Sequence, residues 1–210
     1  MELLHIPGPL VLNADVTLDT GMRTTLTTGQ VKQVYFSVDH QLDTVIPPAQ
    51  ATQTQMFNYP RISCDKGVYY KDSGCVFAGA KSVLVYSLSS AAHGQVAVHV
   101  RDAQNALSTH PGRLTNWTKN GTPLHRTTVT AIKNANTAAK NAACARLTRP
   151  TGYQCDEYPF ASTKEGGNTG IFSVKMVNGT QNMSAGGSLG VLYDLGRVGN
   201  GGEFWVQIVS

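Results

Sequence analysis

A chain of 210 residues with 41% hydrophobic and 14% charged side chains and a net charge of +4 is excluded from the disordered class. It carries enough apolar surface to bury about 70% of its unfolded area, and its net charge is too small to announce a polyanion partner. No run approaches the ~20 apolar residues of a membrane-spanning helix, so no membrane partner is expected. The start, Met1 to Pro9, lacks the basic segment and unbroken apolar run of a signal peptide, which reads as a trimmed or mature form.

In chain order, residues 10 to 46 alternate apolar or β-branched with polar residues, as in Val16-Thr17-Leu18 and Val31 to Val38, and predict strands turned at Asp19-Thr20-Gly21 and Thr28-Gly29. The polar stretch Pro47 to Gln55 reads as a linker or exposed crossover, with a second unit beginning near Tyr59. Ser82 to Leu88 predicts another strand. Val96, His99, Val100, Ala103 and Leu107 then fall at helical spacing within Ala91 to Leu107, and Pro111-Gly112 ends that helix. A second helix is expected from Val129 to Leu147, stopped by Pro150. Phe172 to Val177 reads as a strand, Met183 to Leu195 as a Gly-weakened helix with Asn182 at its N-cap, and Phe204 to Val209 as a closing strand. The fold class is α+β: a small antiparallel β unit over residues 1–60, then a mixed α+β domain over 61–210.

The four cysteines form two separated pairs, Cys64 with Cys75 and Cys144 with Cys155. That even count and local spacing suit two short-loop disulfides in a secreted protein. A four-thiolate zinc site is the competing reading, but neither pair has the two-to-four-residue ligand spacing of a zinc knuckle. Asn-x-Ser/Thr triplets at Asn116, Asn120, Asn178 and Asn182 are compatible with export.

Only 13 residues of the chain are acidic, yet Asp156, Glu157 and Glu165 fall inside the single window Cys155 to Gly167. Phosphodiester hydrolysis needs a water activated for in-line attack, neutralised phosphoryl charge and a stabilised leaving alkoxide, and a carboxylate with a hard cation supplies these. If the window's start is extended, Asp156 and Glu157 point to opposite faces, so Pro159 would have to bend the strand for both to reach one cation. Asp156 is therefore expected as general base and Glu165 as a charge-positioning or acid residue. Glu157 is a metal ligand or a structural ion-pair partner. The rival reading makes these carboxylates caps or solvated surface around a Pro turn.

The string Gln154-Cys155-Asp156-Glu157-Tyr158-Pro159-Phe160-Ala161-Ser162-Thr163 with Glu165-Gly166-Gly167, followed by Asn182, Gly186-Gly187 and Phe204 to Val209, resembles the NucA/NucB family of secreted deoxyribonucleases. Upstream, Cys64-Asp65, Gly74 to Phe77, His99-Val100 with Ala103-Gln104, and Pro123 to Arg126 stand in the order seen in that family, so the resemblance runs from about Ile62 to Ser210. It implies a sequence-nonspecific endonuclease on a ββα-metal core, with one divalent cation, Mg²⁺ or Mn²⁺, as cofactor and DNA as partner. It puts the base on Asp156, an acid on Glu165 and the metal-site asparagine on Asn182. Shorter bacterial members carry Asp-Arg before the Asp-Glu pair; Gln154 and Cys155 stand there instead.

Arg126, Lys164 and Arg197 are the cations expected along the DNA groove, and His125 either contacts phosphate or caps a turn. His99, on an apolar stripe, reads as a hydrogen-bonded core residue, and Tyr158 and Phe160 as core. Two other classes compete. One is a secreted binding module with a disulfide-stapled scaffold and no catalysis; the other is a nuclease toxin held in check by an immunity protein.

Overall fold

Twelve strands and three α-helices, in α+β order, make up the described part of the chain. The computed structural model describes residues 28–34, 37–46, 49–58, 62–67, 72–77, 79–80 and 82–210. The strand and turn expected at Val16 to Gly21 lie outside these residues, as do Pro47, Pro48 and Tyr59.

Strands β1 (Gln30–Val34), β4 (Ile62–Lys66) and β5 (Ser73–Phe77) form one antiparallel sheet with β4 in the middle. Cys64 and Cys75 face each other across β4 and β5 and are joined by a disulfide. Strands β2 (Ser37–Ile46) and β3 (Ala49–Asn58) pair as a ten-residue hairpin. This corrects the linker expected up to Gln55. The Gln/Thr/Ala run of β3 has no apolar alternation to betray a strand, and its backbone is satisfied by the partner strand.

The second half is built round β12 (Glu203–Val209), which runs parallel to β6 (Val83–Ser87) and β7 (Arg113–Thr115) and antiparallel to the short β9 (Leu124–His125); β8 (Thr118–Lys119) extends the sheet from β7. Phe204, Trp205, Val206 and Gln207 are consecutive and all buried, as expected of a strand covered on both faces. Helix α1 (Gly94–Ala106) turns Val96, Ala97, His99, Val100, Ala103 and Gln104 inward, a stripe at i, i+3, i+4 and i+7 spacing. With Tyr86, Leu84, Leu124 and Val206 these residues form the main core. Buried polar groups inside it are paired: Tyr158 Oη donates to the Pro111 carbonyl at 2.7 Å, and Gln104 Nε2 donates to Tyr158 Oη and to the Val206 carbonyl at 3.1 and 3.0 Å.

Helix α2 (Thr130–Cys144) precedes an antiparallel hairpin, β10 (Tyr153–Tyr158) and β11 (Ser173–Asn178), which leads directly into α3 (Gly179–Leu195). The expected strand–strand–helix–strand order is thus present. Helix α3 starts earlier than expected, because Asn178 rather than Asn182 caps it: its Oδ1 accepts from the backbone N–H groups of Thr180 and Gln181 at 3.0 and 3.2 Å. At the far end Arg197 adopts a left-handed conformation, φ 49°, and the Val198 N–H returns to the Tyr193 carbonyl at 3.1 Å.

A disulfide joins Cys144, the last residue of α2, to Cys155 in β10. Eleven residues separate the two in sequence, and closing such a loop in the unfolded chain carries about 3 kcal/mol of stabilisation in the chain-entropy model. The double variant Cys144→Ser/Cys155→Ser is expected to lose about that much unfolding free energy in a urea titration, and an unchanged midpoint would refute the stapling role.

Candidate active site

The site is built on the pleat of β10. Cross-strand pairing sets Asp156 opposite Lys175, Tyr158 opposite Ser173 and Glu157 opposite Val174, so Asp156 and Tyr158 share one face of the hairpin and Glu157 takes the other. The two adjacent carboxylates go to different helices.

Asp156 turns toward α1 and is 7% exposed; its Oδ2 lies 2.7 Å from Nδ1 of His99, which is 1% exposed. The other ring nitrogen of His99, Nε2, lies 3.0 Å from Ser173 Oγ on β11. A neutral ring that donates from Nδ1 to the carboxylate accepts at Nε2 from the serine hydroxyl, so the two contacts together select one tautomer. The second oxygen of Asp156, Oδ1, has no hydrogen bond to any described residue. Above this pair the Tyr86 hydroxyl donates to the Ala185 carbonyl at 2.8 Å. Burial, aided by the negative charge of Asp156, pushes that phenol far above its ordinary value and keeps it a donor.

Glu157 faces α2. Its Oε2 is 3.3 Å from Lys140 Nζ, and its Oε1 accepts from the Ala161 N–H at 3.3 Å. Burial is the largest influence on its carboxyl and raises its pKa, with Lys140 working against it and Asp156 with it.

Glu165 is tied to β9, where Oε1 lies 2.7 Å from His125 Nδ1 and Oε2 accepts from the His125 backbone N–H at 2.9 Å. His125 Nε2 is 3.7 Å from Glu203, so the imidazole is flanked by two acids. Arg126 stacks over the Tyr193 ring at 4.5 Å and donates to the Val198 carbonyl at 2.6 Å. Lys164 is exposed. Arg197 departs from its expected place on a DNA groove: with its side chain 7% exposed, it lies 3.3 Å from Asp65 of β4 and donates to the Asp72 carbonyl at 3.1 Å. Gly74 is needed for this, because a Cβ there would run into the guanidinium.

Asn182 sits in the first turns of α3 and donates to Gln154 Oε1 at 3.1 Å. The expected base and acid, Asp156 and Glu165, and the expected metal-site residues, Glu157 and Asn182, each have a separate protein partner. Asp156 answers to His99, Glu157 to Lys140, Glu165 to His125 and Asn182 to Gln154, and none of the four bonds another. Among the described residues no three His, Cys, Asp or Glu side chains gather as a cation cage. The oxygens among these residues that bond no described residue are Asn182 Oδ1 and Asp156 Oδ1, since Asn182 bonds through its Nδ2 and Asp156 through its Oδ2, and a carboxylate with an amide carbonyl suits a hard cation that keeps most of its waters.

Two groups that reading the sequence did not assign to the site hold it together. Asn136 of α2, 1% exposed, donates to the Ala161 and Thr163 carbonyls at 2.9 and 2.8 Å and accepts from the Asn168 N–H at 3.0 Å. It clamps the acidic window, with Gly166 lying flat against its amide where a Cβ would collide. Ser173 is the other. Its only signal was the pairing with Tyr158, which becomes readable once hairpin register is known. Ser162 Oγ and Tyr193 Oη are 2.8 Å apart, and the Tyr193 phenol is pushed up to about 12 by burial.

A raised Glu157 pKa means that the folded state holds this proton more tightly than the unfolded chain does. Its contribution to stability is full below the ordinary value of 4.5 and is lost as pH rises through the folded value. Glu157→Gln, which keeps the acceptor for Ala161, is expected to flatten the decline of Tm from pH 4.5 towards neutrality. Parallel pH–Tm curves for the two proteins would refute this.

Residues 110–207 match the family model described as Deoxyribonuclease NucA/NucB. No curated protein matches the chain. The matched stretch contains the whole acidic window and α3 but not α1, which supplies His99.

Proposed function

We propose, from the match of residues 110–207 to the Deoxyribonuclease NucA/NucB family model, that the chain is a secreted, sequence-nonspecific endonuclease of that family that hydrolyses DNA phosphodiester bonds with Asp156 as general base. The observation that carries the assignment of the base is the buried His99–Asp156 contact of 2.7 Å. A carboxylate by itself is a weak base that can rotate. Here one oxygen is fixed by His99 and the other is left for a water, so the proton acceptor is aimed before substrate arrives.

The step follows from this arrangement. Water held at Oδ1 attacks phosphorus in line with the departing oxygen, its proton passes to Asp156, the P–O bond to the leaving alkoxide breaks, and the alkoxide takes up a proton. The Asp156 carboxylate, which only accepts, requires the proton on His99 Nδ1, and the Ser173 hydroxyl then serves as donor to Nε2. Glu165, bound to His125 from the end of the same window, holds the window's far end against β9. Dependence on Mg²⁺ or Mn²⁺ rests on the family's account alone, and no step above runs through a cation. Export is supported by the two disulfides. Among the described residues no helix is long and apolar enough to cross a membrane.

Asp156→Ala is expected to lower plasmid cleavage by on the order of 10²-fold or more, and undiminished cleavage would remove Asp156 from the role. His99 separates positioning from packing. Asn in its place keeps an N–H near the position of Nδ1, whereas Gln keeps a polar atom near that of Nε2. His99→Asn is expected to retain most of kcat. His99→Gln is expected to lose on the order of 10²-fold in kcat with KM little changed. Equal losses in both variants would reduce His99 to a packing residue.

A further inference from the structure

From Ala103 to Cys155 the chain carries seven Lys and Arg residues and no Asp or Glu. Three of the seven are committed to the protein itself. Arg113 donates to the Asn120 carbonyl at 3.1 Å and to Asn105 at 3.3 Å, Lys119 lies 5.0 Å over the Trp205 ring, and Arg126 stacks on Tyr193. The other four, Lys133, Lys140, Arg146 and Arg149, all lie on α2 or on the turn after it, and of these Lys140 is already paired with Glu157 at 3.3 Å. Two of these, Lys140 and Arg149, line a cavity of about 580 Å³ together with Asn141, Gln154, Asn182 and the Cys144–Cys155 disulfide. No carboxylate is among its lining residues.

We propose that this cavity is the groove that receives the DNA backbone, with Arg149 as its phosphate contact, Lys140 beside it in its pair with Glu157, and the Asn182 and Gln154 amides at its inner end. The inference rests on the deoxyribonuclease reading and places its substrate. Arg149 is preset for such a contact: its Nε donates to the Tyr153 carbonyl at 2.7 Å, which orients the guanidinium and leaves its two terminal nitrogens without a bond to any described residue. The lining residues Cys155 and Met176 lie on the α2 face of the hairpin and Gln154 on the face of Asp156, about 7 Å along the strand from it, so the groove spans the edge of β10 toward the proposed base. Arginine, lysine and amide side chains are among the groups that most often contact phosphate oxygens. Of the residues first expected on the DNA face, His125, Arg126 and Arg197 are turned to protein partners, while Lys164 is exposed.

The test uses the full chain silenced by Asp156→Ala and measures its binding to a short fluorescein-labelled duplex and to the matching single strand by anisotropy across a salt series. Arg149→Ala is expected to weaken binding about 3- to 10-fold and to lower the salt slope of log K by about one. Arg149→Lys should restore the slope, because it returns the charge without the bond to the Tyr153 carbonyl. Arg101→Ala, on α1 beside Asp102, should change neither quantity. Unchanged affinity and slope in Arg149→Ala, or weaker binding that Arg149→Lys leaves unrestored, would overturn the groove while DNA binding by the parent keeps the nuclease reading. Absence of both binding by the parent and cleavage by the unmutated chain would take down that reading and the groove with it.

Discussion

The pleat of β10 sends Asp156 to α1 and Glu157 to α2, and most of the site's properties follow from that division. Two adjacent carboxylates on one face would repel each other and each would raise the other's pKa. On opposite faces each finds a basic partner of its own, His99 at 2.7 Å and Lys140 at 3.3 Å. The hairpin with β11 enforces the separation, because a slip of one residue would exchange the two faces. It would carry Asp156 to Lys140 and leave His99 buried against an apolar or glutamate neighbour.

Holding a carboxylate 7% exposed is costly unless its surroundings are fixed, and the window is fixed along its length. The disulfide ties its start to α2, Tyr158 is bonded into the core, Asn136 clamps the backbone past Phe160, and Glu165 closes the end on β9. These fastenings come from α2, the α1–β7 turn and β9. The chemistry is carried by a short segment, but its rigidity comes from elements on both sides of it.

Helices α1 and α2, strand β6, the closing strand and the α+β order could all be read from apolar spacing and from Pro or Gly stops. The same holds for the opposed faces of Asp156 and Glu157, which follow from strand geometry alone. His99 was legible as a hydrogen-bonded core residue on an apolar stripe, but not its partner, since a contact across 57 residues of sequence leaves no local trace. Arg197 misled because a lone arginine after a helix looks like surface; only the fold brings Asp65 to it. Hairpin β2–β3 was hidden for another reason. The middle of its second strand, Thr52 to Gln55, is an unbroken polar run, so periodicity had nothing to register there. Asn136, in an Ala/Asn-rich helix, was one amide among several.

The parallel pairing of β12 with β6 separates ancestry from autonomy. The stretch that carries the family signature stops short of β6 and α1, yet its last strand takes a whole row of backbone hydrogen bonds from β6 and its buried histidine partner from α1. The segment that the family model matches is therefore not by itself a folding unit. A part cut at the edges of that signature would expose the flank of its central strand and leave Asp156 without the imidazole that aims it.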